Sequence, residues 1–378
     1  MDPAHLLPVS GAWRVGDPAG SRLFADLGPL ALEAGEVLPG LRMAYQTWGE
    51  LSPARDNAVL VLHALTADSH VTGPAGPGHP TAGWWSELVG PGRPVDTDRW
   101  FVVAPNVLGG CQGSTGPASA APDGRPWGSR FPYLTVRDQV AAERALTDAL
   151  GIDVWAAVVG GSMGGMRALE WAVTEPARVA RLLAVATTAR ATADQIAWCL
   201  PQLAAIRADA GWRGGDYHDA APGEGPHRGL GIARMIAHTT YRSAAEMDAR
   251  FGRAAQPGED PMGGGGRFAV ESYLQHAADK LVRRFDAGSY VALTESLNSH
   301  DVGRGRGGVA AALATVTART RVVAVDTDRL YPVHLAQEVA DAVPGVTEVD
   351  LVNSPYGHDA FLIESAAVGK VASELLES

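Results

Sequence analysis

Residues 157–173, AVVGGSMGGMRALEWAV, constrain this chain more than any other stretch. An apolar, β-branched run from Ala157 to Val159 ends in two glycines, Ser162 and Met163 follow, and two more glycines lead into a helical pattern. Met166, Leu169, Ala172 and Val173 share one face of that helix. Strand, cramped turn with a serine at its tip, then helix: this is the setting a G-x-S-x-G nucleophile elbow requires. Side chains two positions either side of the serine would collide, which accounts for Gly160 and Gly164. An ordinary glycine-rich turn shares the spacing, but the strand before and the helix after favour the elbow.

The rest of the chain supplies a sheet for that elbow to sit on. Residues 1–28 read as an irregular lead-in, and 29–49 as an antiparallel hairpin around Pro39-Gly40. Continuous apolar runs at 57–66 and 100–106 read as strands buried on both faces. A helix is predicted over 135–151, the elbow strand and helix follow, and RLLAVAT (181–187) is a further strand. From about 190 the pattern is helical, with predicted helices in 191–209, 229–252, 267–286 and 289–299 separated by Gly-rich loops. Strand–helix alternation then resumes with RVVAVDTD, HLAQEVADAV, TEVDLVN and a closing helix, DAFLIESAAVGKVASELLE. The expected fold class is α/β, a mostly parallel sheet flanked by helices. Residues 1–189 and 310–378 form its core, and 190–309 form an inserted helical lid.

Composition narrows the function. The chain has 378 residues, 46% of them hydrophobic and 19% charged, as in a soluble globular protein. Its formal net charge of −11 is spread along the sequence, against nucleic-acid or anionic-membrane partners. Cys111 and Cys199 cannot make a disulfide framework, and no Cys/His spacing suggests a metal site. The GGGG at 263–266 lacks the following Lys-Ser/Thr of a phosphate loop. No run is long enough to span a bilayer, and the N-terminal residues lack a secretory pattern, so a cytoplasmic protein is expected.

A serine at an elbow needs a base, and the base an orienting carboxylate, in the chain order Ser, Asp or Glu, His. Asp328, just past the strand RVVAVDT, supplies the acid, with Asp326 as a competitor nearer the strand. His358, after the last strand and behind a glycine, supplies the base. Both fall at carboxyl ends of strands, where ligands gather in open α/β sheets. Two amides must meet the oxyanion: Met163, after the nucleophile, and Leu65, in the loop after the 59–64 strand. Cys111 has no base near it in sequence and reads as loop or tunnel lining.

Six stretches in register, LHALTADSHVTGP, NVLGGCQGSTGP, VVGGSMGGM, HTTYRS, TDRLYP and GHDAFL, resemble the homoserine O-acetyltransferases of the α/β-hydrolase superfamily in their actinobacterial form. The resemblance runs from about residue 25 to 375. It implies a ping-pong transfer of acetyl from acetyl-CoA, as co-substrate with no bound cofactor, to the serine and then to the hydroxyl of L-homoserine, on the way to methionine. It implies Ser162, Asp328 and His358 as triad, Leu65 and Met163 as oxyanion donors, and Arg234, Tyr241 and Asp359 as acceptor binders. It also implies a homodimer through the lid helices. Homoserine is a zwitterion: the Arg234 fork suits its carboxylate, and Asp359 its ammonium. Alone, Arg234 could be a surface arginine and Asp359 a helix N-cap. Seven residues separate Arg234 and Tyr241, so two helical turns bring both to one cavity. The sequence departs from many bacterial relatives in the first lid helix, where AWCLPQLAAI carries Pro201 in mid-run. A succinyl donor or serine acceptor on the same scaffold, a plain esterase or thioesterase, and a non-catalytic receptor on a decayed hydrolase fold are the competing readings.

Overall fold

The computed structural model describes residues 7–378. Eight strands make one sheet: β1 (Leu23–Asp26), β2 (Arg42–Trp48), β3 (Ala58–Leu62), β4 (Phe101–Pro105), β5 (Ala157–Gly161), β6 (Arg181–Val185), β7 (Arg319–Val325) and β8 (Asp350–Val352). Their spatial order is β1-β2-β4-β3-β5-β6-β7-β8; β2 runs antiparallel to both its neighbours, β1 and β4, and every other pair is parallel. β3 is buried at every residue, as its unbroken apolar run requires when helices cover both faces. Its period of two divides the core, with Ala58, Leu60 and Leu62 packing on one side of the sheet and Val59 and Val61 on the other.

The helices are α1 (Val136–Ala149), α2 (Met163–Thr174), α3 (Ala193–Arg207), α4 (His227–Tyr241), α5 (Ala244–Phe251), α6 (Ala269–Val282), α7 (Ala287–Asn298), α8 (Val309–Leu313), α9 (Val333–Ala342), α10 (Ala360–Ile363) and α11 (Ser365–Glu377). α3 to α8 lie in the sequence between β6 and β7. Leu203, Leu230, Leu281 and Tyr290 from α3, α4, α6 and α7 share a buried cluster with Met163 and Met166 of α2, which seats these helices over the elbow. None of the described helices is long and apolar enough to cross a membrane.

Four local expectations are corrected. The lead-in contains β1, although its first six residues lie outside the described ones. The hairpin exists, but it turns through residues 32–36, with Gly35 at positive φ, rather than at Pro39-Gly40. Between this hairpin ladder and that of β1 with β2, Leu41 accepts the Leu27 amide and donates to Gly28 O, each at 2.7 Å, and Pro29 and Pro39 lie just beyond. Neither proline has an N–H to give, so the ladder is interrupted there and the second arm goes on into β2. The run at 229–252 is two helices, because Ser243 leaves the helix and its Oγ accepts the Glu246 amide at 3.1 Å to start α5. The closing helix likewise breaks, at Glu364.

Candidate active site

β5 delivers Ser162 into the turn with φ +56° and ψ −124°, a conformation that L residues avoid and that only a tightly determined turn sustains. The glycines around it are forced by backbone rather than side chains. A Cβ on Gly160 would stand 2.2 Å from the Gly164 carbonyl oxygen, and one on Gly164 would stand 2.0 Å from that of Leu62. Gly164 therefore lets the first turn of α2 press against the end of β3, where the oxyanion loop begins.

Ser162 Oγ donates to His358 Nε2 at 2.9 Å, and His358 Nδ1 donates to Asp328 Oδ2 at 2.7 Å. The other Asp328 oxygen accepts the Leu330 and Tyr331 amides, each at 2.8 Å, which fixes the carboxylate before it meets the imidazole. All three side chains are buried. Asp326 is engaged elsewhere: it accepts the Ser354 amide at 3.0 Å and ties the end of β7 to the loop after β8. The Tyr331 ring stacks on His358 with centroids 4.9 Å apart, a contact that spacing in the sequence does not reveal.

The amides of Leu65 and Met163 have no acceptor among the described residues, and Leu65 shares a cavity with Ser162. The loop carrying Leu65 is pinned by its carbonyls. Arg167, itself fully buried, donates to His63 O and forms an ion pair with Glu143, whose second oxygen accepts Trp171 Nε1 at 2.8 Å. His63 Nε2 accepts the Val107 amide at 3.0 Å, which leaves Nδ1 to donate to Ala64 O at 2.8 Å. Because the peptide is planar and trans, holding Ala64 O one way turns the Leu65 N–H the other way. Burial first, and then the Arg167 guanidinium, hold the His63 imidazole down at about 3, so it stays neutral in this role.

Ser162, His358, Leu65, Arg234, Tyr241 and Asp359 all line one cavity of about 340 Å³. The Arg234 guanidinium lies 5.5 Å from the centroid of the Tyr241 ring, and its Nη1 donates to Thr66 Oγ1 at 3.2 Å. Asp359 stands at the N-cap position of α10, but its side chain caps nothing; it faces Arg242, whose Nε is 3.2 Å away. Burial raises the Asp359 carboxyl, and Arg242 pulls it back toward the ionised form. Arg242 and Arg284 belong to the cavity's charge balance and were not singled out by sequence. Cys111 does not line this cavity; it is buried beside a separate groove, and burial pushes its thiol up to about 12. As it stands, the arrangement can make an acyl-serine, stabilise its oxyanion, and hold a ligand bearing both charges beside it.

A family model described as alpha/beta hydrolase fold matches residues 57–365. The chain is 65% identical over 376 residues to a homoserine O-acetyltransferase of Thermobifida fusca (strain YX), covering 99% of each protein. It superposes on the crystal structure of a homoserine O-acetyltransferase from Bacillus anthracis with a TM-score of 0.86 and 26% identity, covering 94% of this chain and 97% of that one. An acetylester hydrolase from Corynebacterium glutamicum follows at TM-score 0.81 and 27% identity, with 95% and 97% covered. Fold, elbow and full-length identity agree: this chain belongs to the homoserine O-acetyltransferases of the α/β-hydrolase fold.

Proposed function

We propose that the protein moves an acetyl group from acetyl-CoA, through acetyl-Ser162, to the side-chain hydroxyl of L-homoserine in methionine biosynthesis. The observation that carries this reading is one cavity in which a nucleophilic serine faces both a cation, Arg234, and an anion, Asp359. A plain esterase has no use for that pair; an acceptor with a carboxylate and an ammonium does.

In the first half-reaction His358 Nε2 takes the Ser162 proton as Oγ attacks the thioester carbon. The oxygen becomes an oxyanion in reach of the Leu65 and Met163 amides, and collapse expels CoA, whose sulfur receives the proton. In the second, the acceptor hydroxyl gives its proton to His358 and attacks the acetyl carbon. Collapse then returns Ser162 Oγ with the proton. Asp328 keeps Nδ1–H in place and stabilises the imidazolium of each step. Water would compete with the acceptor, and the burial of Ser162 beneath α3–α7 limits its access.

The reading takes residues 190–309 as a lid and needs no resident cofactor, acetyl-CoA being consumed as co-substrate. It extends to a homodimer formed through the lid, supported by α3, which turns Ile196 and Leu200 outward at 41% and 65% exposure beside Ala197 and Pro201. A cytoplasmic location fits two cysteines that are both free.

The test is thiol release from acetyl-CoA or succinyl-CoA, with and without L-homoserine or L-serine. Steady release that requires acetyl-CoA and homoserine together supports the reading. Strong preference for succinyl-CoA overturns the donor, preference for serine overturns the acceptor, and release indifferent to either amino acid makes the protein a thioesterase.

A further inference from the structure

The cavity holds a charge that the mechanism above leaves unused. Arg284 lines it, two residues beyond α6, and donates from Nη1 to Thr66 O at 2.7 Å. Arg234 reaches the same residue from the other side through Thr66 Oγ1. Two guanidiniums thus converge on Thr66 beside the loop that carries Leu65; burial first, and then the charge of Arg234, lower the Arg284 guanidinium. The cavity's ion pair is that of Arg242 with Asp359; neither Arg234 nor Arg284 has a carboxylate within 4.0 Å among the described residues. Asp68, on the same wall, is the carboxylate that Arg284 senses, but it lies beyond that distance and accepts the His70 amide. Arg234 Nε is buried and has no hydrogen-bond partner among the described residues.

The backbone around Arg284 is clamped in a way that aims the side chain. Its carbonyl accepts Gln112 Nε2 at 2.9 Å, and the passing segment at Gly11 lies so close that a Cβ there would stand 2.4 Å from the Phe285 nitrogen. Asp286, two residues on, is buried and accepts Ser10 Oγ and Tyr217 OH, each at 2.7 Å. Two like charges held side by side without a counter-ion are costly, and a bound anion offsets both. Lys280 and His276 are exposed at the rim of the same cavity, so Arg234 and Arg284 are the inner pair.

We propose that Arg284 is a second guanidinium of the acceptor's carboxylate site, bracketing that carboxylate together with Arg234 beside Thr66. The proposal rests on the acyl-transfer reading above. A carboxylate has about four lone-pair sites, enough for two guanidiniums. Because both also hold Thr66, seating the carboxylate would settle the loop that carries the Leu65 amide at the moment the acceptor is in place.

The experiment compares L-homoserine with propanolamine, which keeps the hydroxyl and ammonium of homoserine but lacks its carboxylate. The wild type, Arg284→Met, Arg284→Lys and Arg234→Met are each assayed for kcat/KM with both acceptors, and for the thiol burst from acetyl-CoA alone. Arg284→Met is expected to lower kcat/KM for homoserine about ten- to hundred-fold, the worth of a charge-assisted hydrogen bond, and to change propanolamine use and the burst far less. Arg284→Lys should retain part of the preference, and it carries the test if the Met variant does not fold. An unchanged homoserine-to-propanolamine ratio in the Arg284 variants, with the ratio collapsed in Arg234→Met, overturns the role of Arg284 alone. An equal fall of both acceptors and the burst makes Arg284 only a brace for the loop, and also overturns it. A shift in succinyl-CoA against acetyl-CoA use, with no change in acceptor ratio, assigns it to the donor instead. A wild type that does not distinguish the two acceptors overturns the acceptor reading itself, and the proposal with it.

Discussion

Glu143→Leu removes the carboxylate paired with the Arg167 guanidinium, a side chain that is 0% exposed. Breaking a buried pair from one side leaves an uncompensated charge and costs about 3–5 kcal/mol. Against a total of about 5–15 kcal/mol for a folded protein, the single change should take away a large share of stability. The double variant Arg167→Met/Glu143→Leu removes both charges, fills similar volume, and should recover part of that loss, the buried Trp171 N–H still lacking its Glu143 acceptor. It does not recover the hydrogen bond that Arg167 gives to His63 O. The loop carrying Leu65 is then held by one anchor fewer, while the Leu65 amide itself remains. Losing an oxyanion donor outright costs about 100- to 1000-fold in rate, so loosening its support should cost about ten-fold. Denaturant unfolding reads the stability, and the pre-steady-state thiol burst from acetyl-CoA reads the acylation. A Glu143→Leu protein less than about 1 kcal/mol weaker than wild type would refute the buried-charge argument. A double variant that acylates Ser162 at the wild-type rate would show that the His63 carbonyl does not position the loop.

Three further outcomes follow from features already described. Gly164→Ala places a Cβ 2.0 Å from Leu62 O, with only backbone to yield, so it should abolish acylation and lower the melting temperature; a soluble variant with normal burst would refute the elbow packing. His63 is held at about 3 and His300 at about 4, each chiefly by burial, against an ordinary value of 6.5. Both folded values lie below the unfolded one, so the unfolded chain binds more protons below pH 6.5. Stability is full above that pH and falls as pH drops toward 4, by about 1.4 kcal/mol per pH unit for each histidine. Urea unfolding of wild type and His300→Asn between pH 7 and 5 checks this, the variant being expected to show the shallower slope. Leu200→Asp puts a charge on the exposed stripe of α3 and should convert the proposed dimer to a monomer in sedimentation; an unchanged mass overturns an interface through α3.

The hydrogen-bonded arrangement of Ser162, His358 and Asp328 was legible because its constraints are local. Ser162 needs its glycines within two residues, and the acid and base need only follow a strand on a short loop. Asp328 rather than Asp326 could be favoured from its distance past the strand, and the hydrogen bond from the Ser354 amide to Asp326 explains why both are present. Contacts between distant parts of the chain were not legible: no spacing shows that Arg284 meets Thr66, or that Arg167 joins Glu143 to His63. Arg242 was hidden for the same reason, its partner lying 117 positions away at Asp359. The hairpin misled because Pro39-Gly40 carries a strong turn signal, while the actual turn at 32–36 relies on Gly35 alone. β1 is four residues of mixed exposure, too short to show a period.

Ser162, Asp328, His358 and the Leu65 loop are all mounted on ends of sheet strands, whereas Arg234, Tyr241, Arg242 and Arg284 all come from the helical segment between β6 and β7. The two sets therefore sit on different parts of the fold and meet at Thr66, which accepts from both Arg234 and Arg284. A rearrangement of the helices would move the Arg234 and Arg284 charges away from Ser162 and release their two contacts to Thr66, while the Ser162–His358 hydrogen bond stays in place. On the proposed reaction, rebuilding one continuous stretch of chain would change the acceptor while Ser162, Asp328 and His358 stay on the sheet. Asp359 is the exception: it follows His358 directly, so on the proposed reading the ammonium end of the acceptor is registered against the sheet and the carboxylate end against the helices.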